Sequence, residues 1–506
     1  MTGTLTLESS LGRLTAEVPE AVAASVRGGS ALATRGFRER ACRLARNMPY
    51  RKALGELGEE CARHADEDRV TMHQITSTAL REGEAMAEAA RAEARRVLSA
   101  YGGFFGEDGA PVEGAELPEA LRTRGAEVVT ASPGEDAGPL AGLTVADVLA
   151  LGDEEALELN GGPSEPYDGG HPHKMSRRTG RREVAPDERQ ARLDSRVRWR
   201  NGLEGVHPGA RVLGEWELER DSSQVAFVSI DAVLVPEQAA EHVRGGRPEM
   251  RGDRTYVKHW DVRVDADGES MLLTSTYEPD AYLLLMGALV SSGLITRRLV
   301  FMVDGESRIG AAIERWFWPW EHEVYLDWYH VTKKVEDLLS AACVARRLRD
   351  PDAETEVYAI GPKKGQPKPK QKMASLSRLY ARAASPIAWE GNAAALALFV
   401  RCIPAEDVKS ERYRRDLLTY IANKEAIFAP WSLRRLLGLK NSSNGVEAAN
   451  QMLVSARQKD SDLMFWRERG SAALATLEAT DRNGLSGAWF SEGSFSLAMP
   501  GLADAA

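Results

Sequence analysis

Between Gln224 and Leu348 the chain reads as three β-rich segments, a helix, and then strand, helix, strand, helix. QVAFVSID with the VLV that follows, YVKHWDVRVDA and ESMLLTSTY alternate or run apolar, and a DADGE turn separates the last two. A helix over about Pro279–Ser292 follows, then the buried strand LVFMVD, the helix GESRIGAAIERWFW, the strand EVYLD and the long helix WYHVTKKVEDLLSAACVARRL. Few topologies accept that order, because parallel strands need helical crossovers and antiparallel ones do not.

Two of these strands end in an acid, Asp231 in SIDAVLV and Asp304 in LVFMVDGES. A lone Asp is ordinarily a solvated group. One directly after a buried apolar run sits instead beside the core, and Gly305 behind Asp304 allows close backbone approach. The element order is that of a ribonuclease-H-like α/β sheet, in which the ends of the first and fourth strands lie side by side. A third acid, Glu447 in NGVEAANQMLVSAR, opens an amphipathic helix. Two strand-end aspartates and one helix glutamate can hold two divalent cations about 4 Å apart, an arrangement suited to in-line phosphoryl transfer. Mg²⁺ is the expected ion and Mn²⁺ a possible substitute, since carboxylate oxygens suit both. DWYH adds Asp327 as a helix cap and His330 as an auxiliary group at the same sheet edge.

The surrounding sequence sets the boundaries. Residues 1–100 are expected to be a helical DNA-binding region. Within it Tyr50–His64, a turn at Asp66–Asp68 and a helix N-capped by Thr71 outline a helix-turn-helix, though a plain helical hairpin fits equally. Thr71, His73, Gln74 and Ser77 would then face bases. Residues 101–220 read as a linker: Tyr101 to about Gly170 is rich in Gly, Pro, Glu and Asp and loosely ordered, with one or two short helices such as Val145–Leu151. It ends in a basic segment whose Arg177, Arg178, Arg181 and Arg182 are expected to meet phosphates. The ribonuclease-H-like core would occupy 221–345, an all-α insertion 346–440, the Glu447 helix 441–485 and a tail 486–506. Arg457 and Lys459 follow Glu447 and are further candidates for phosphate contact. The WFWPW run at Trp316–Trp320 is expected in or beside the core.

Other chemistries find no support. Gly305–Gly310 has P-loop glycine spacing, but Ala311 and Ala312 stand where Lys and Ser/Thr are required. No GxSxG occurs, and four scattered cysteines form no zinc or disulfide pattern. The 506 residues carry a net charge of −10, which says less about DNA binding than where the charge sits. AYLLLMGALV, from Ala281, is too short to span a bilayer and no leader is apparent, so a cytoplasmic, nucleoid-associated protein without membrane contact is expected.

With these segments in view, the chain resembles bacterial insertion-sequence DDE transposases of the Kra/Lre type, relatives of the Mutator-like group. MPYRKALGELGEECARHADEDRVTMHQITSTALREG is similar to that family's N-terminal region, and VSIDAVLV and FMVDGESRIGAAIERWF to its two aspartate segments. YLDWYHVTKKVEDLL is similar to its D-x-x-H block and NGVEAANQMLVSARQK to its glutamate helix. Met464–Trp466 departs from the Arg-containing triplet usual there. The resemblance implies an Asp231, Asp304 and Glu447 metal triad with His330 catalytic and Asp327 auxiliary. It also implies DNA strand cleavage and strand transfer at element ends, with terminal inverted repeats and target DNA as partners and a homodimer or larger assembly on DNA. The rivals are a drifted, transposase-derived DNA-binding protein and a stand-alone nuclease.

Overall fold

A computed structural model describes residues 2–9, 12–19, 32–62, 71–125, 128–131, 140, 142–167, 216–219, 224–237, 256–349, 361–366, 373–436, 439–459 and 466–502. The chain opens on an antiparallel hairpin, β1 (Thr2–Ser9) and β2 (Gly12–Pro19), so the all-helical expectation for residues 1–100 is wrong at its start. The alternation in TGTLTLES supplies the reason, a period of two with Thr and Leu. Three helices follow: α1 (Arg35–Asn47), α2 (Tyr50–Ala62) and α3 (Met72–Ser99). Phe37, Leu44, Leu57, Ile75 and Met86 are buried between them. Thr71 caps α3 in a reciprocal capping box with Gln74.

At 28 residues α3 reaches far beyond a recognition helix, and Ala90, Ala94 and Leu98 in its second half are buried in the core of the central sheet. Gly83 lets α3 cross a later helix closely: a Cβ there would lie 2.4 Å from the Ala473 carbonyl oxygen. Gly83→Val should therefore cost about 3 kcal/mol, since the obstacle is backbone and cannot rotate away. A urea midpoint equal to the parent's would show that the crossing is not so tight.

Within the linker, α4 (Val145–Ala150) is the short helix expected at Val145–Leu151, and α5 (Asp153–Asn160) follows it. The linker's described parts are built into the protein. Phe104, Ala110 and Leu121 are buried, and the Trp320 indole N–H donates to the Leu121 carbonyl at 2.8 Å. Composition misled there because a few large apolar residues among many Gly and Glu suffice to anchor a segment.

The central sheet comprises β3 (Val225–Pro236), β4 (Tyr256–Ala266) and β5 (Glu269–Ser275), then α6 (Glu278–Ser291), β6 (Arg298–Val303), α7 (Ser307–Phe317) and β7 (His322–Leu326). Its order is β7-β6-β3-β4-β5, with β3, β4 and β5 antiparallel and β3, β6 and β7 parallel. Asp267 and Gly268, both at positive φ, close the β4–β5 hairpin as the Asp-Gly pair dictates. Ala226, Val228, Ile230, Leu299, Phe301 and Val303 face α3, α6 and α7. Of the WFWPW run, Trp316, Phe317 and Trp320 join that core while Trp318 is exposed. The opposite face splits. Val225, Phe227, Val300 and Met302 meet one group of helices, and Val233, Val235 and Leu272 meet the N-terminal ones.

That first group is α8 (Trp328–Ala342), α9 (Leu376–Trp389), α10 (Ala393–Arg401), α11 (Glu411–Lys424) and α12 (Trp431–Leu436). Arg347–Arg349 pairs antiparallel with Met373–Ser375 ahead of α9, so the all-α expectation for 346–440 is wrong at that ladder. The chain then returns over the sheet as α13 (Asn444–Asn450), which runs through a π-helical turn at Gln451–Ser455 into Ala456–Gln458. Helices α14 (Glu468–Arg482) and α15 (Ser486–Glu492) end the fold. Among the described residues no helix is long and apolar enough to cross a membrane.

Candidate functional site

The register of β3 on β6 runs from Val225 opposite Arg298 to Ser229 opposite Met302. Continued by two residues, that register would set Asp231 opposite Asp304 on one face. β3 runs on past Asp231 to Pro236, paired with β4 throughout, so Asp231 lies within its strand and the expectation that it ends one is corrected; Asp304 does follow the last residue of β6. Asp231 Oδ1 accepts from the Ala232 N–H at 2.7 Å, and Oδ2 from the Asn450 side-chain amide at 2.6 Å. Asp304 Oδ1 accepts from the Glu306 N–H at 2.7 Å, fixing the turn into α7. Gly305 in that turn has φ +92°, and a Cβ there would lie 2.7 Å from the Leu326 side chain.

Asn450 places the third acid. It sits on α13 three residues after Glu447, hence on the same helix face, so its grip on Asp231 brings Glu447 over the middle of β3. Gly445, at the start of α13, allows this approach: a Cβ there would come within 3.0 Å of the Arg263 side chain on β4. Glu447 Oε1 lies 3.9 Å from His330 Nε2, and His330 Nδ1 lies 3.5 Å from Asp327 Oδ1. The latter separation is an ion-pair contact, long for a hydrogen bond. Asp327 is fully buried and caps α8, accepting from the N–H groups of Tyr329 at 2.6 Å and His330 at 3.2 Å. Its other oxygen takes the Ser443 N–H, which ties α8 to the segment launching α13.

The electrostatics record crowded negative charge. Burial raises the Asp231 carboxyl above the usual carboxylate range, and the Asp304 charge adds to that. Asp327 beside it raises the His330 imidazole despite burial, with Asp304 and Glu447 contributing. Burial pushes Asp327 up, but His330 and Ser443 outweigh it and the net shift is downward. The donor set, three carboxylates with excess negative charge, fits a hard divalent cation. The spacing is open: among the described residues no three His, Cys, Asp or Glu side chains stand close enough to hold a metal ion.

The remaining candidates distribute differently. Arg457 is buried, donates to the Ala45 carbonyl at 3.0 Å and stacks on Tyr50 and Trp466. It is a packing residue, and the expectation of a phosphate contact there is corrected; its neighbour Lys459 is exposed. At the start of α3, Thr71 and Gln74 are engaged with each other while His73 and Ser77 are exposed. Arg177, Arg178, Arg181 and Arg182 lie outside the described residues.

Sequence reasoning missed Asn450 and Asp261. Helical spacing from Glu447 could have found the first. Asp261 stands directly across from Asp231 on β4, wholly buried, with Thr274 donating to Oδ1 at 2.6 Å and Oδ2 unpartnered. Two residues away, His259 Nε2 pairs with Ser471 Oγ at 2.6 Å. Burial lifts Asp261 to about 7, with Asp231 adding, and drops His259 to about 4. The two act oppositely on stability. The contribution of neutral His259 is present above its unfolded value of 6.5 and lost as pH falls through about 4. That of protonated Asp261 is present below 3.8 and lost as pH rises through about 7. Asp261→Asn should unmask His259. In metal-free urea titrations its stability would rise with pH more steeply than the parent's between about 4 and 7, by up to ~1.4 kcal/mol per pH unit. Parallel pH profiles would refute the buried neutral pair.

No family model, curated protein or solved structure matches the chain.

Proposed function

We propose that this protein cuts and rejoins DNA as a DDE-type transposase, with Asp231, Asp304 and Glu447 as the acidic centre of a ribonuclease-H-like domain. One observation carries the reading: the Asn450–Asp231 hydrogen bond fixes the helix that bears Glu447 over β3, beside the strand that Asp304 follows. The strand order, three antiparallel then two parallel beside the first, is the order such a domain has.

Magnesium held by the three carboxylates would supply an activated water and neutralise charge on the departing 3′ oxygen. The residues do the rest. Asp304, locked by the Glu306 N–H, presents a fixed carboxylate edge. His330, its imidazole raised by Asp327, is placed to orient Glu447 or donate to a phosphate oxygen. A freed 3′-OH entering where water had been would attack target DNA at the same centre. Two DNA ends handled together imply at least a dimer.

The open spacing of the acids favours a second reading, a DNA-binding protein descended from such an enzyme. Incubation with the DNA flanking its own gene and Mg²⁺ separates the possibilities. Joined strand-transfer products support the transposase, nicks without joining a nuclease, and binding alone the drifted protein.

A further inference from the structure

The acidic centre offers only the His330 imidazole to its substrate's charge. Asp327, Glu447, Asp304 and Asp231 all act on the single imidazole of His330, so the centre carries an excess of negative charge. Even with cations on the carboxylates, the outer oxygens of a phosphodiester need donors. Two nearby cations are engaged: Lys258 on β4 with Glu306 at 3.4 Å, and Lys440, in the segment before α13, with Asp265 at 2.7 Å.

Helix α11 offers what is missing. Its buried stripe is Leu417, Leu418 and Ile421. Tyr420 and Lys424, four residues apart, share a neighbouring face. The alkyl chain of Lys424 lies along the turn after Asp304, with Cε 3.5 Å from where a Gly305 Cβ would stand. Lys424 makes no ion pair among the described residues. Tyr420 is partly exposed, and the Lys334 ammonium is 5.9 Å from its ring centre. Its hydroxyl has no hydrogen-bond partner among the described residues. Burial, and then the charges of Asp304 and Asp327, push the phenol well up, so it remains a donor.

Resting on the DNA-cutting reading above, we propose that α11 forms the phosphate-gripping wall of the site. The Lys424 ammonium and Tyr420 hydroxyl hold the non-bridging oxygens of the DNA phosphate presented to Asp304.

The test uses the full chain with two probes, a 30-base-pair duplex of arbitrary sequence and supercoiled plasmid with Mg²⁺ or Mn²⁺. Lys424→Met keeps the alkyl packing on Gly305. It should lower the slope of log K against log salt on the duplex by about 0.9, one phosphate contact. Lys424→Arg should restore the slope. Tyr420→Phe removes no charge, so it should keep the parental salt slope on the duplex while slowing the nicking kcat about 10²-fold. A parental slope in Lys424→Met, or parental nicking in Tyr420→Phe, overturns the role of that residue. Asp304→Asn distinguishes the failures. If it nicks like the parent, the acidic-centre reading falls; if it is inert while both α11 variants match the parent, only the phosphate wall falls. Should the parent bind without nicking, the reading of the centre is lost and the salt slope alone decides Lys424.

Discussion

Asp304→Asn should bind DNA like the parent and cut it at least about 10³-fold more slowly, the scale of losing a group that stabilises transition-state charge. The asparagine keeps an oxygen for the Glu306 N–H, so the turn at Gly305 and the start of α7 survive. What goes is the negative charge. The Asp304 charge helps raise Asp231, so the variant should also let Asp231 ionise at lower pH. Cleavage of gene-flanking DNA in Mg²⁺, followed over a single turnover, gives the rate. Parental cutting by a folded Asp304→Asn protein would remove Asp304 from the chemistry and with it the triad.

The second large effect is structural. Asp327→Ala deletes the acceptor for three backbone N–H groups, those of Tyr329, His330 and Ser443. Loss of the helix cap costs about 1–2 kcal/mol, and a buried N–H left without a partner a further 1–3. A total near 3–4 kcal/mol is expected in urea unfolding at neutral pH. The consequence for the site exceeds the loss of stability. Ser443 precedes α13 directly, so releasing it frees the helix that carries Glu447 and Asn450.

The same substitution removes the main support of protonated His330. A raised imidazole contributes stability fully present below its unfolded value of 6.5 and lost as pH rises through its higher folded value. Asp327→Ala should flatten stability over that window. A variant as stable as the parent would mean that Asp327 does not clamp α8 to the Glu447 segment.

Much of the sheet was legible because its local signals agree. The six-residue run before Asp304 is buried throughout, as an interior parallel strand requires, and the Asp267–Gly268 turn could hardly be anything else. Thr71 was readable as a cap because Gln74 follows at capping-box spacing. The linker reading failed where composition stood in for contacts: Phe104 and Leu121 are few, yet Trp320 holds them. Arg457 failed for a related reason. A helix charge reads as solvated unless its aromatic neighbours are known, and Tyr50 lies some four hundred residues earlier in the numbering.

Sequence alone determined that Asp304 follows a buried strand and where α8 and α13 begin, because periodicity and capping act over a few residues; that β3 runs on past Asp231 was set by its pairing with β4. Tertiary structure decided the remainder. That Asn450 seizes Asp231, that Asp261 is buried across from it, and that Lys424 rests on Gly305 depend on strand register and helix crossing. Those are fixed by packing between segments up to about two hundred residues apart, over which no local pattern has a say.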